Sequence, residues 1–209
     1  MAQIEIIGST LSNYVWTVAI ACAEKGVDFV VRPARPHSPE VDAIHPLGRI
    51  PCMRHGDLTL FESRAICAYV DAAFEGPALT PRDPREAARL EQWISLLITS
   101  ADPVLVRGYV LAYLFPGTPD GAPDRARIDA IAPKLDAHLR IFEAQVSEGF
   151  VAGSGFTLAD AYLVPMLAGV NRFPEGAAMI AGSPKLAAYL KTQLGRASVK
   201  STMPQPPKG

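Results

Sequence analysis

Two kinds of hydrophobic pattern divide this chain. Before residue 75 the apolar runs are short and set between glycines and prolines; beyond residue 84 every periodic segment has helical spacing. Ile4–Ile7 is a β-branched run closed by Gly8, which predicts a short buried strand. Over residues 14–25, Val15, Val18, Ala19 and Cys22 recur at helical spacing, and Gly26 suits the end of that helix. Residues 27–31 predict a second strand. Strand, helix and strand in this order make a βαβ unit with a parallel pair. Residues 32–39 contain three prolines and predict a loop, and 40–44 have room for one or two helical turns.

The densest run of signals is HPLGRIPCMRHGDLTLFES, from His45 to Ser63. Pro46 to Gly48 reads as a turn. Pro51 heads an apolar segment, and a proline cannot donate to a β-ladder, so it belongs at an edge or a sharp bend. A cis Ile50-Pro51 bond would supply that bend. His55-Gly56-Asp57 separates two strand-like runs, 52–54 and 58–60, as a hairpin turn does. Glu62-Ser63 then opens an amphipathic helix over 62–74. The order is βαβαββα. The Ser63 hydroxyl and the free N–H groups of that helix start make a corner suited to a carboxylate.

Residues 75–84 hold three prolines and a glycine and read as a linker. Beyond them, 85–100 carries Leu90, Trp93, Ile94 and Leu97 on one face. Asp102-Pro103 is expected to kink or break it, with a strongly apolar helix resuming over 104–115. A long helix is predicted over 124–148. Thr157 to Asp160 reads as a capping box, opening an almost wholly apolar, hence central, helix. Ser183-Pro184 opens another over 185–194. The tail from Ser198, rich in proline, is expected to be frayed.

The formal net charge is −1 over 209 residues, which gives no electrostatic case for nucleic acid or an anionic membrane surface. No apolar run approaches a membrane span, and the first residues lack a secretory pattern. Three cysteines, Cys22, Cys52 and Cys67, are widely spaced with no CxxC, which suits a reducing cytoplasm. The four histidines show no metal-ligand spacing, so no metal site is expected.

With these segments in place, the chain resembles a cytosolic glutathione transferase of a bacterial, phi/theta-like, serine-type branch. GSTLSNYVWTVAIACAEKGVDF, HPLGRIP, LFESRAICAYV and FTLADAYLVPML carry the resemblance, which covers roughly residues 4–194. It implies an α/β plus all-α architecture: a thioredoxin-like glutathione-binding domain (1–76), a linker (77–84) and an all-helical domain with the electrophile pocket (85–209). It implies a cytoplasmic homodimer that uses glutathione as co-substrate, joins its thiolate to a hydrophobic electrophile, and has no nucleic-acid or membrane partner.

The resemblance also implies roles. Ile50 and Pro51 match the cis-proline bend whose backbone pairs with the cysteinyl unit. Glu62 and Ser63 match the pair that holds the γ-glutamyl amine and carboxylate. Arg49 matches a position near the glycyl end where many relatives have Lys or Gln, and His37 more loosely matches a basic position for the carboxylate at that end. Ser12 matches the residue that activates the thiol, with Asn13, Ser9 and Tyr14 as alternatives. Asn13 stands where relatives often have proline, and Val15-Trp16 where they often have arginine. Beside Tyr14, the residues Arg107, Tyr109 and Tyr113 are expected to line the electrophile pocket. Bland readings stand beside these: Ser12 is also a good N-cap, and Tyr109 and Tyr113 at helical spacing also suit a core. Rival activities are a glutathione-dependent lyase, isomerase or reductase, or a carrier without turnover.

Overall fold

In the computed structural model, which describes residues 3–204 apart from the Ser147 side chain, the short apolar runs of the first part form one four-stranded sheet. The strands are β1 (Ile4–Ile7), β2 (Phe29–Arg32), β3 (Cys52–His55) and β4 (Leu58–Phe61). Their order is β2-β1-β3-β4, with β1 parallel to β2 and antiparallel to β3, and β3 antiparallel to β4. The central position of β1 explains why Ile4, Ile6 and Ile7 are all fully buried. The hairpin closes with His55 opposite Leu58, and Gly56 takes the positive φ that so tight a turn requires.

Three helices belong to the sheet: α1 (Asn13–Glu24), α2 (Pro39–Asp42) and α3 (Ser63–Ala73). In α1 every residue from Val15 to Cys22 is buried. An amphipathic helix on a sheet would leave one face wet. Here α1 packs against α3 and also against a last helix, α10 (Ala197–Thr202). The first residues of the tail expected to be frayed, through Thr202, are therefore ordered helix; residues 205–209 of that tail lie outside the described residues. Arg196 reaches the Glu24 carboxylate with two N–H donors at 2.5 and 2.7 Å, and Val199 is fully buried. The chain divides into two compact units: Met1–Thr80 with Gly195–Gly209, and Pro81–Leu194.

The second unit is helical. It contains α4 (Pro84–Leu96), α5 (Leu111–Leu114), α6 (Arg125–Gln145), α7 (Leu158–Val170), α8 (Pro174–Ala181) and α9 (Pro184–Leu194). The expected break at Asp102-Pro103 does not occur. Two π-helical stretches, Leu97–Ala101 and Pro103–Val110, carry the chain from α4 into α5. The wider π turn shifts the hydrogen-bond ladder and accommodates a proline ring that would strike the carbonyl four residues earlier in an α-helix. The resulting stretch, Pro84–Leu114, is 31 residues long with a mean hydropathy of 1.4 in its most apolar window, long and apolar enough to cross a membrane by length and composition. That corrects the sequence expectation, which counted the stretch as two helices; 44% of the window is buried inside the structure.

The capping box forms as expected. Asp160 is fully buried and accepts hydrogen bonds from Thr157 N, Thr157 Oγ1, Val151 N and the Tyr189 hydroxyl at 2.9–3.0 Å. All four are donors, so the site is built for a carboxylate, although burial itself pushes the acid's pKa up.

Candidate functional site

The first unit brings three sequence-distant loops together. Gly8, just past β1, is the point of contact. A Cβ on it would lie 2.6 Å from Val15 Cγ2 and 3.1 Å from Ile50 Cβ. Only a glycine lets the start of α1 and the residue before Pro51 approach the end of β1 this closely. Its N–H donates to Arg32 O at 2.9 Å, fixing it to the end of β2.

The turn before β3 is held as tightly. Ile50-Pro51 is cis, as the sequence suggested. Gly48 has φ +59, and a Cβ there would fall 2.2 Å from His37 Nδ1. The His37 N–H donates to Gly48 O at 2.9 Å. His37, itself at φ +58, is thereby set against the turn that carries Arg49 and Ile50. Both basic side chains face water: His37 is 75% exposed with Nδ1 3.6 Å from Asp42 Oδ1, and Arg49 is exposed.

At the start of α3, Glu62 is the N-cap residue with φ +66, the left-handed region that a residue with a Cβ seldom occupies. Its carboxylate makes no cap hydrogen bond and stays 62% exposed, with Oε1 3.5 Å from His45 Nε2. Ser63 follows, buried, at the first helical position. The first turn of α3 contains no acidic residue, so its positive end is not neutralised from within the helix. His45 is the residue that sequence reasoning passed over. Nothing in a His-Pro pair signals that the ring is buried against Phe61.

Ser12 is the N-cap of α1: its Oγ accepts from Val15 N at 3.4 Å. That bond uses an oxygen lone pair and leaves the hydroxyl hydrogen for another acceptor, so capping and thiol activation are compatible. Ser9 shapes the turn before it, accepting from Leu11 N at 3.2 Å. Asn13 and Tyr14 occupy the first turn of α1, both half-buried. Trp16 donates its indole N–H to Thr202 Oγ1 at 2.9 Å. Trp16 is thus part of the contact between α1 and α10.

In the second unit the expected pocket residues behave differently from one another. Arg107 is exposed and donates to Asp102 at 2.9 Å. Tyr109 is fully buried, accepts from Gly176 N at 2.8 Å and donates to Glu175 at 3.1 Å. This corrects the expectation that it lines a pocket: helical spacing put it on the inner face. Tyr113 is half-buried, stacks on Phe173 at 4.1 Å and also donates to Glu175. Arg125 closes the group on Glu175 at 2.6 Å. Burial raises the Glu175 pKa, but the hydrogen bonds from Tyr113 and Arg125 outweigh it and hold the carboxyl at about 2. Burial, then the bond to Glu175, pushes the Tyr113 hydroxyl up. Among the described residues no group of three or more His, Cys, Asp or Glu side chains could hold a metal ion.

A four-stranded mixed sheet with a proline-headed third strand, joined to a helical unit, defines the thioredoxin-like class of two-part proteins. Residues 6–78 match the family model of the glutathione S-transferase N-terminal domain, and 125–192 that of its C-terminal domain. Glutathione S-transferase 3 of Zea mays is 32% identical over 99% of this chain and 97% of its own length. Among solved structures, glutathione S-transferase III in apo form superposes with a TM-score of 0.86 at 32% identity, covering all of both chains. Glutathione S-transferase I from maize, in complex with an atrazine glutathione conjugate, gives 0.85 at 27% identity over 97% of each chain. The chain belongs to the cytosolic glutathione S-transferase family. Its curated relatives named here are plant proteins, which moves the resemblance away from the bacterial branch expected from sequence.

Proposed function

We propose that this protein is a serine-type glutathione transferase, which adds the thiolate of glutathione to small hydrophobic electrophiles by substitution or conjugate addition. The observation that carries the reading is the convergence at Gly8, where the start of α1 meets Ile50 at the bend before β3. Ile50 offers backbone to the cysteinyl unit beside Pro51. Glu62 receives the γ-glutamyl ammonium, while Ser63 and the start of α3 receive the α-carboxylate. Arg49 and His37 stand on the adjoining turn for the glycyl carboxylate.

Ser12 then acts on the sulfur. A free thiol has a pKa of about 8.5, so little of it is thiolate near neutrality. One hydrogen bond to the anion is worth about 1.5–3 kcal/mol, enough to lower that value by roughly one to two units. The start of α1 acts with the same sign. Asn13 is the second candidate for the same task, and Tyr14, with Arg107 and Tyr113, is assigned to the electrophile side.

We assign the protein to the cytoplasm as a homodimer. Three buried free cysteines suit a reducing compartment. Two apolar side chains beside the buried His45, Leu47 at 58% and Phe61 at 40% exposure, favour self-association. Light scattering on the wild type and Leu47→Glu reads that assignment.

Ser12→Ala is the direct test. It should lose most turnover with an activated aryl chloride while retaining binding to immobilised glutathione. Unchanged turnover would move the role to Asn13, Ser9 or Tyr14. Glutathione binding in calorimetry with no turnover on any electrophile would favour a carrier.

A further inference from the structure

His45 is a buried imidazole next to the start of α3: its Nδ1 accepts a hydrogen bond, and its Nε2 faces the Glu62 carboxylate at 3.5 Å without a full hydrogen bond in this structure. The ring is 3% exposed, although Pro46 and Leu47 beside it face water. The Leu47 N–H donates to Nδ1 at 3.0 Å. A nitrogen that accepts carries no hydrogen, so the ring hydrogen is on Nε2. Nε2 lies 3.5 Å from Glu62 Oε1, and the Phe61 ring, 4.9 Å away between centroids, holds the imidazole from one side. Glu62 is restrained from its own end by the φ of +66. Its carboxylate is otherwise in water, free to change rotamer.

We propose that His45 is a positioning residue for Glu62: its Nε2–H anchors Oε1 and so presents Oε2 to the γ-glutamyl ammonium of glutathione. This rests on the reading of Glu62 as the ammonium acceptor. Fixing one oxygen beforehand lowers the ordering cost that glutathione would otherwise meet on binding. The ammonium lies at the far end of the tripeptide from the reacting sulfur. Its contact is the same in the bound complex and in the transition state, so the effect falls on KM for glutathione and not on kcat.

Two substitutions separate the nitrogens. His45→Asn keeps an acceptor near the Nδ1 position for the Leu47 N–H and removes the donor to Glu62. His45→Gln keeps an amide N–H near the Nε2 position. In His45→Asn, KM for glutathione should rise about tenfold with kcat held within about twofold, and His45→Gln should recover most of the loss. Adding His45→Asn to Glu62→Ala should raise KM no further, because the two act through one contact. A merely structural role would instead lower kcat and thermal stability in both His45 variants together.

If Glu62→Ala raises KM while His45→Asn leaves it unchanged, the proposal is overturned and the reading of Glu62 survives. If Glu62→Ala leaves KM unchanged, that reading fails and the proposal with it. Should His45→Asn not fold, ¹⁵N NMR of the wild-type imidazole decides: the Nε2–H tautomer is expected, with its resonance moving on addition of S-methylglutathione. An Nδ1–H tautomer, or a resonance indifferent to the ligand, overturns the proposal.

Discussion

The Trp16 indole N–H donates to Thr202 Oγ1 at 2.9 Å, joining the first helix to one that lies 186 residues further along the chain. Around this contact Arg196 and Ser198 both bond the Glu24 carboxylate. Trp16→Phe keeps the ring and loses the donor. It should cost about 0.5–1.5 kcal/mol in a urea titration. Deleting residues 197–209 should cost clearly more, because it also uncovers the buried face of α1 that meets Val199. Equal stability of the deletion and the wild type would show that α10 adds nothing.

Gly48 and His37 compete for the same space. Gly48→Ala places a Cβ 2.2 Å from His37 Nδ1 and forces alanine to φ +59. A loss of about 1–3 kcal/mol is expected, together with weaker retention on immobilised glutathione. His37→Ala in the same background should recover only part of the steric cost, because Asp42 Oδ1 would still lie 2.6 Å from the new Cβ, and should leave the backbone part.

Glu175 predicts a pH dependence. Its carboxyl is held at about 2 against an ordinary value of 4.5. A depressed acid stabilises the fold fully above the ordinary value, and that contribution is lost as pH falls from about 4.5 towards about 2. Glu24, whose pKa is lowered by Arg196 and Ser198 against the opposing effect of burial, acts in the same direction. Urea midpoints measured down that window should fall less steeply in Glu175→Gln than in the wild type, although the variant starts from a lower midpoint at neutral pH.

Asp160→Asn exchanges an acceptor for an amide donor where four donors converge. The variant should be destabilised by about 2–4 kcal/mol, the range set by leaving buried hydrogen-bond groups unmatched. Thr157→Ala, which removes one hydroxyl, should cost about 1 kcal/mol. Thermal melts of the two variants, ordered this way, check the account.

Much of the fold was legible because local chemistry dictates it. β-branched runs, Gly26 and Gly56 at turns, Pro51 before β3 and the box from Thr157 to Asp160 act within a few residues of chain. Where the expectation failed, a distant partner had intervened. Residues around Ser198 look frayed by composition, yet Glu24 and Trp16 hold them. Asp102-Pro103 should stop a helix, yet packing of its apolar flanks carries it through as π turns. Tyr109 could have faced either way until Glu175 and Gly176 met its hydroxyl.

By itself the sequence determined the strand and helix order, a bend at Pro51 and a helix start at Glu62-Ser63, since each follows from the backbone preferences of adjacent residues; the cis form of Ile50-Pro51 and the positive φ of Glu62 go against those preferences and are set by the surrounding fold. Only the tertiary structure decided that Gly8 would bring Val15 and Ile50 together, and that the His45 ring would turn inward to Glu62. Those outcomes depend on side chains far apart in sequence competing for one volume, and no periodicity along the chain records which of them wins it.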